Sequence, residues 1–170
     1  HMHVEVARQC VGLKKHMVTA SYVSKEMEEL DQDAKDAGVV IMNEIGVDPG
    51  IDHMSAMRVI DQIKSKGAKI LQFESFTGGL VAPESDNNPW NYKFAWNPRN
   101  VVLAGSGGAV KFKQEGRYKY IPYHQVFRRT EIIELPEYGR FEGYANRDSL
   151  KYREAYGLKD IPTIYRGTFR

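Results

Sequence analysis

The chain has 170 residues, 42% hydrophobic and 27% charged, the composition of a protein able to bury a substantial core. Its 24 basic and 22 acidic residues leave a net charge of +2, too weak a field to favour nucleic acid as a partner. No apolar run approaches the roughly 18 residues of a membrane helix, and the single cysteine, Cys10, excludes an internal disulfide. A cytoplasmic protein with neither a membrane nor a nucleic-acid partner is expected.

His1 and Met2 read as a cloning scar, and the pattern that follows opens partway through a domain. Val4, Ala7 and Val11 fall near helical spacing and predict a helix before Gly12, and His16 to Ser21 reads as a short strand. Ser24 is placed to cap a helix carrying Met27, Leu30, Ala34 and Ala37, with Gly38 to end it. Val39 to Met42 is the next strand. Strand, helix and strand in this span make a βαβ unit, whose right-handed crossover gives two parallel strands. Parallel sheets are covered on both faces, so residues 3–50 read as the C-terminal remnant of a doubly wound, nucleotide-type domain.

The stretch from Met42 to His53, Met-Asn-Glu-Ile-Gly-Val-Asp-Pro-Gly-Ile-Asp-His, is then a strand-to-helix turn. In open α/β sheets such turns lie at the carboxyl ends of the strands, facing the ligand crevice. Thr19-Ala20-Ser21-Tyr22 ends the preceding parallel strand and is expected beside Val47-Asp48 at the same edge. The plainer alternative is that Ser21 only assists a cap and Tyr22 only packs. Asp48, Asp52 and His53 could in principle hold a metal or move protons, but Asp-Pro-Gly is ordinary turn chemistry and Cys10 has no cysteine partner. No metal site is expected. Ala56, Val59, Ile60 and Ile63 form the helical stripe, and four residues back along it lies Asp52, which should face inward and need a partner.

Gly67 ends that helix and Lys69 to Phe76 reads as a strand. Trp90, Tyr92, Phe94 and Trp96 alternate with Asn91, Lys93 and Ala95, which predicts a strand with one aromatic face covering a core or a subunit interface; base stacking is the lesser alternative. Gly105 to Gly108 is glycine-rich, but neither a G-x-G-x-x-G after a strand nor a Walker lysine is present. From Ala109 the pattern turns antiparallel. Val110 to Lys113, a turn at Glu115-Gly116 and Tyr118 to Ile121 are followed by a helix over Tyr123 to Arg129. Strands over Glu131 to Leu135 and Arg140 to Tyr144, a helix over Leu150 to Tyr156 and a last strand over Thr163 to Phe169 complete it. The fold class is α/β passing to α+β, with residues 51–170 a mixed, largely antiparallel sheet with helices. Arg147 and Arg166 each sit among small or polar residues, where a planar fork suits a carboxylate ligand or, equally, a surface ion pair.

Six stretches together carry a resemblance: Val18 to Tyr22, Met42 to His53, Gly78 to Pro83, Tyr92 to Trp96, Asn146 to Ser149 and Arg166 to Arg170. They resemble the saccharopine dehydrogenase family, of the L-glutamate-forming type. The likeness implies the end of a Rossmann domain followed by a domain for substrate binding and homodimerisation. It implies an NADP- or NAD-linked reaction of lysine metabolism, in which saccharopine and glutamate plus aminoadipate semialdehyde are interconverted. By the same resemblance Ser21, Asp48, Arg147, Gly167 and Thr168 contact saccharopine, a role we extend to Tyr22 and Arg166 from their positions. Thr19, Ala20, Val47, Asp48, Pro49 and Asn97 lie by the cofactor. Thr77 stands where the family usually has Cys, and Ala95 and Asn97 stand where it has serines. The family's glycine-rich dinucleotide loop is not among these residues, so this stretch alone is expected to be inactive. A non-catalytic binding or oligomerisation module reusing the fold is the alternative.

Overall fold

The stripe Val4, Ala7, Val11 makes helix α1, His3–Gly12, with Ala7 fully buried. This is a computed structural model that describes residues 2–103, 106 and 108–170; His1 of the expected scar and Gly105 and Gly107 of the glycine-rich stretch lie outside them. The chain falls into two compact units, His1–Val59 and Ile60–Arg170.

In the first unit, β1 (Met17–Val18) and β2 (Ile41–Met42) pair in parallel, Met17 with Ile41 and Val18 with Met42. Both are shorter than the predicted runs; where the pairing starts, the Val40 N–H donates to His16 Nδ1 at 2.9 Å while its carbonyl accepts from Met17 N. The single helix expected after Ser24 is two, α2 (Lys25–Glu28) and α3 (Asp31–Ala37). The apolar stripe survives the break: Met27, Leu30 and Ala34 are all buried, and Met27 and Leu30 join Ala7 in one core with Val4, Met17 and Ile41 against it. Gly38 ends α3 at φ 68°, the left-handed cap that glycine adopts without a Cβ penalty.

Helix α4, Ile51–Ser65, spans the boundary between the units. The second unit is built on a sheet whose central strand is β8, Thr163–Phe169, buried over its first five residues, Thr163 and Arg166 among them. Along one edge β3 (Gln72–Phe76) runs parallel to it, Gln72 opposite Thr163 and Phe76 opposite Gly167. The other edge carries two antiparallel strands in succession, β4 (Val110–Gln114) at Ile164 and β7 (Gly139–Ala145) from Gly167 to Phe169. Carbonyl direction requires this split: Pro162 and Arg166, an even number of residues apart, accept from Gly116 and Asn146, whereas Gly167, one residue on, accepts from Thr77 on the other edge. Hairpins add β5 (Arg117–Ile121) to β4 and β6 (Glu131–Leu135) to β7. The first hairpin turns at Glu115 and Gly116, both at positive φ, 48° and 78°, as its two-residue loop demands.

Alternation along β8 divides the cores. Tyr165 faces Val110, Phe112, Ile121, Val126 and Ala145, with α6 (Tyr123–Val126) closing that side. Ile164 and Arg166 face the other way, toward α7 (Tyr152–Ala155), where Phe73, in register with Ile164, meets Tyr156 at 5.2 Å between rings. Lys64 at the end of α4 donates to the carbonyls of Tyr156 and Gly157 at 3.4 and 3.1 Å.

The aromatic segment Trp90 to Trp96 is not a strand. Asn88 organises it as a turn, its Oδ1 accepting from Trp90 N at 3.0 Å and its Nδ2 donating to the Tyr92 carbonyl at 3.1 Å. Asn91 adopts φ 49° there. With Trp90 82% exposed, the segment covers no core within the described residues.

Candidate functional site

The loops that follow β1 and β2 are knitted to each other. Thr19 N donates to the Met42 carbonyl at 2.9 Å, Ile45 N to the Thr19 carbonyl at 3.2 Å and Glu44 N to the Ser21 carbonyl at 3.1 Å. Asn43 Nδ2 also donates to the Ser21 carbonyl, at 3.3 Å, and Glu44 Oε1 accepts from Val23 N at 3.2 Å. Two glycines permit the approach. A Cβ on Gly46 would stand 3.0 Å from the Ala20 Cβ and 3.2 Å from the Pro49 carbonyl, and one on Gly50, at φ 152°, would overlap the Gly46 carbonyl.

This packing brings together the candidates Thr19, Ala20, Ser21, Tyr22, Val47, Asp48 and Pro49. The Tyr22 hydroxyl donates to Asp48 Oδ1 at 3.4 Å, and the Asp48–Pro49 bond is cis. Ala20 and Val47 are exposed, Ser21, Tyr22 and Asp48 half-buried, and Pro49 buried. Asp52 faces inward as its stripe required, its side chain 5% exposed. Its partner is the turn itself: Oδ1 accepts from Gly50 N at 2.8 Å, in the first turn of α4 where a carboxylate also suits the helix dipole. His53 Nε2 lies 3.7 Å from the other oxygen. Among the described residues no group of three or more His, Cys, Asp or Glu is gathered as a metal site.

In the second unit, Arg147 and Arg166 are held by neighbouring parts of the same β8 edge. Asn146 N donates to the Arg166 carbonyl at 2.9 Å, after which Arg147 takes φ 47° and the chain crosses from β7 to β4. There Lys111 N donates to the Arg147 carbonyl and Ser149 N to the Lys111 carbonyl, both at 2.8 Å. The Ser149 hydroxyl turns back to accept from Arg166 N at 2.9 Å. Arg166 is buried, with its guanidinium carbon 4.2 Å from the centre of the Tyr152 ring, a cation–π contact.

Gly167 lies on the opposite face from Arg166 and Thr168, and its lack of a side chain is structural: a Cβ there would enter the Phe76 ring. Asn97 is exposed and caps α5 (Pro98–Leu103), its Oδ1 accepting from Asn100 N at 3.3 Å. Sequence reasoning missed the roles of Glu44 and Ser149. Both stood inside quoted motifs, yet each acts through a backbone N–H, Val23 or Arg166, that only the folded chain supplies.

Parallel strands joined through helices in one unit, and a mixed sheet flanked by helices in the other, define a protein of mixed α/β architecture. Residues 46–170 match the family model described as the saccharopine dehydrogenase C-terminal domain, and the chain belongs to that family. It is 44% identical over 168 residues to the saccharopine dehydrogenase [NADP(+), L-glutamate-forming] of Pyricularia oryzae, covering 99% of this chain and 37% of that protein. It is 43% identical over 171 residues to the alpha-aminoadipic semialdehyde synthase of Arabidopsis thaliana, covering 99% of this chain and 16% of that one. A solved apo saccharopine dehydrogenase (L-Glu forming) from Saccharomyces cerevisiae superposes with TM-score 0.88 at 36% identity, over 99% of this chain and 38% of that chain. The chain thus spans well under half the length of the relatives it matches, two of which are dehydrogenases by name.

Proposed function

We propose that this chain is part of an NAD(P)-linked oxidoreductase of lysine metabolism that interconverts saccharopine with glutamate and aminoadipate semialdehyde. The observation that carries the reading is the Tyr22–Asp48 contact, which sets a carboxylate between the carboxyl ends of two parallel strands. In this reading residues 3–50 are the end of a Rossmann domain and residues 51–170 a substrate-binding and dimerisation domain of a cytoplasmic homodimer.

The residues present fit the nicotinamide end of a dinucleotide. Ala20 and Val47 present small, exposed side chains at the strand ends, beside the backbone of Thr19, Asp48 and Pro49. Asn97, exposed at the start of α5, is assigned to the same cofactor. No residue of this stretch supplies the G-x-G-x-x-G grip on the pyrophosphate, so the 170-residue chain alone is inactive. When bound, the cofactor supplies the ring that accepts a hydride from the carbon bearing the secondary amine of saccharopine.

The chain's own residues hold the substrate. Saccharopine carries three carboxylates and an amine between its two halves. Arg147 and Arg166 supply planar forks for carboxylates, with the Gly167–Thr168 backbone beside them. Asp48, fixed by the Tyr22 hydroxyl, orients the amine, and the Ser21 hydroxyl serves the same end of the substrate. Loss of hydride leaves a C=N bond; water adds to that carbon, and the C–N bond then breaks to release glutamate and the semialdehyde. The test is the full-length protein with saccharopine and each oxidised nicotinamide nucleotide. Saccharopine-dependent nucleotide reduction is expected, and its absence with both nucleotides overturns the reading.

A further inference from the structure

The two arginines assigned above to substrate carboxylates are linked through one buried side chain that bonds to the backbone of Arg166. Ser149 is 1% exposed, and it closes a circuit of backbone bonds. Its N–H donates to the Lys111 carbonyl at 2.8 Å, while Lys111 N donates to the Arg147 carbonyl at 2.8 Å. Its hydroxyl accepts from Arg166 N at 2.9 Å. These bonds fill the gap along β8 where β7 has ended and β4 has not yet begun, at a point where Arg147 is held at φ 47°. A non-glycine residue in the left-handed region persists only where its surroundings over-determine it. Three more contacts brace the crossing: Asp148 Oδ1 accepts from Leu150 N at 2.9 Å, Asp148 Oδ2 lies 3.6 Å from Lys111 Nζ, and Tyr152 N donates to the Ser149 carbonyl at 3.4 Å. None of these three reaches Arg166. Asn146 N, before the Arg147 turn, donates to the Arg166 carbonyl at 2.9 Å, and the Ser149 hydroxyl holds Arg166 from the other side of that turn.

We propose that Ser149 is a positioning residue that sets the spacing of Arg147 and Arg166, and through it the affinity of the site for a polycarboxylate substrate. Removing the hydroxyl leaves the Arg166 N–H buried without its acceptor and leaves the Arg147 turn held to β8 on its Asn146 side alone. The guanidinium of Arg166 stays over the Tyr152 ring, but its register with Arg147 is held less tightly. Loss of that fit weakens binding of the whole substrate more than it slows the bound one, because both forks act before and during the reaction alike.

This proposal rests on the functional reading above, and the test separates the two. In the full-length protein, saccharopine binding is measured by calorimetry and turnover by steady-state kinetics for the unmodified enzyme, S149A and V126A. V126A is a core variant in the same unit that lowers stability without touching either arginine. S149A is expected to bind saccharopine about tenfold more weakly and to raise its KM by the same factor. Its kcat and its KM for the nucleotide should stay within about twofold, as should every constant of V126A. If S149A cannot be purified, S149C, with a weakly accepting sulfur of similar size, carries the same comparison. Saccharopine affinity unchanged in the serine variant, or lowered equally in V126A, overturns the proposal alone. No binding by the unmodified protein overturns the functional reading and this proposal with it.

Discussion

The hydroxyl of Tyr22 donates to Oδ1 of Asp48 at 3.4 Å, joining the loops that follow two parallel strands. The contact is long and half-buried, so its net worth to stability is at most about 0.5–1.5 kcal/mol. Its larger effect is on direction, since it fixes how the Asp48 carboxylate is turned between the two strand ends. Tyr22→Phe is expected to lower the midpoint of chemical unfolding only slightly while raising KM for saccharopine severalfold in the full-length enzyme. A KM that does not move removes Tyr22 from the site.

Asp52 is inward for a structural reason. Its carboxylate caps Gly50 N at 2.8 Å and sits at the positive end of α4. Asp52→Ala should lose about 0.5–2 kcal/mol, and Asp52→Asn less, because an amide oxygen still accepts the bond. Urea unfolding of the three proteins measures both. Equal loss in the two variants shows that charge, not the cap, is what matters.

Gly167 and Phe76 are partners across the β3–β8 register. Gly167→Ala forces a methyl into the Phe76 ring and should destabilise by about 1–3 kcal/mol. Phe76→Ala opens the space. A double-mutant cycle is expected to give a favourable coupling of roughly 0.5–3 kcal/mol; strict additivity contradicts the contact.

Glu131 titrates above the ordinary glutamate value, first because burial disfavours its charged form and then because the Glu74 carboxylate is near, against a lowering bond from Tyr165. A raised carboxyl pKa means the folded state binds the proton more tightly than the unfolded one. The associated stability is therefore present in acid and lost as pH rises through the folded value. Glu131→Gln mimics the protonated form and keeps an acceptor for Tyr165. Its melting temperature should match the parent at about pH 4 and exceed it at about pH 7. A difference independent of pH counts against the shift.

How much of this was legible in the sequence depends on where each residue's partner lies. The seven residues of β8 were read with their correct ends because β-branched and aromatic residues, Thr163, Ile164, Tyr165, Thr168 and Phe169, dominate the run. The neighbourhood of Thr19–Tyr22 and Asp48 followed from topology, since a βαβ unit puts consecutive strand ends at one edge. Alternation at Trp90–Trp96 misled, because it records which side chains are aromatic and not whether a strand stands ready to pair; the Asn88 turn satisfied that backbone locally. The two short helices in place of one after Ser24 kept the predicted stripe while losing the predicted length. Ser149 was out of reach, its partner Arg166 lying 17 residues away across a strand crossing that no local pattern encodes.

The most direct test of the account is saccharopine kinetics of Asp48→Asn in the full-length protein, with its melting temperature recorded alongside. A carboxylate that orients the substrate amine is worth about 1.5–3 kcal/mol as a hydrogen bond to a charged group, so kcat/KM for saccharopine should fall roughly ten- to a hundredfold while the melting temperature holds. Unchanged saccharopine turnover and binding would show that the strand-end crevice around Asp48 is not the substrate site.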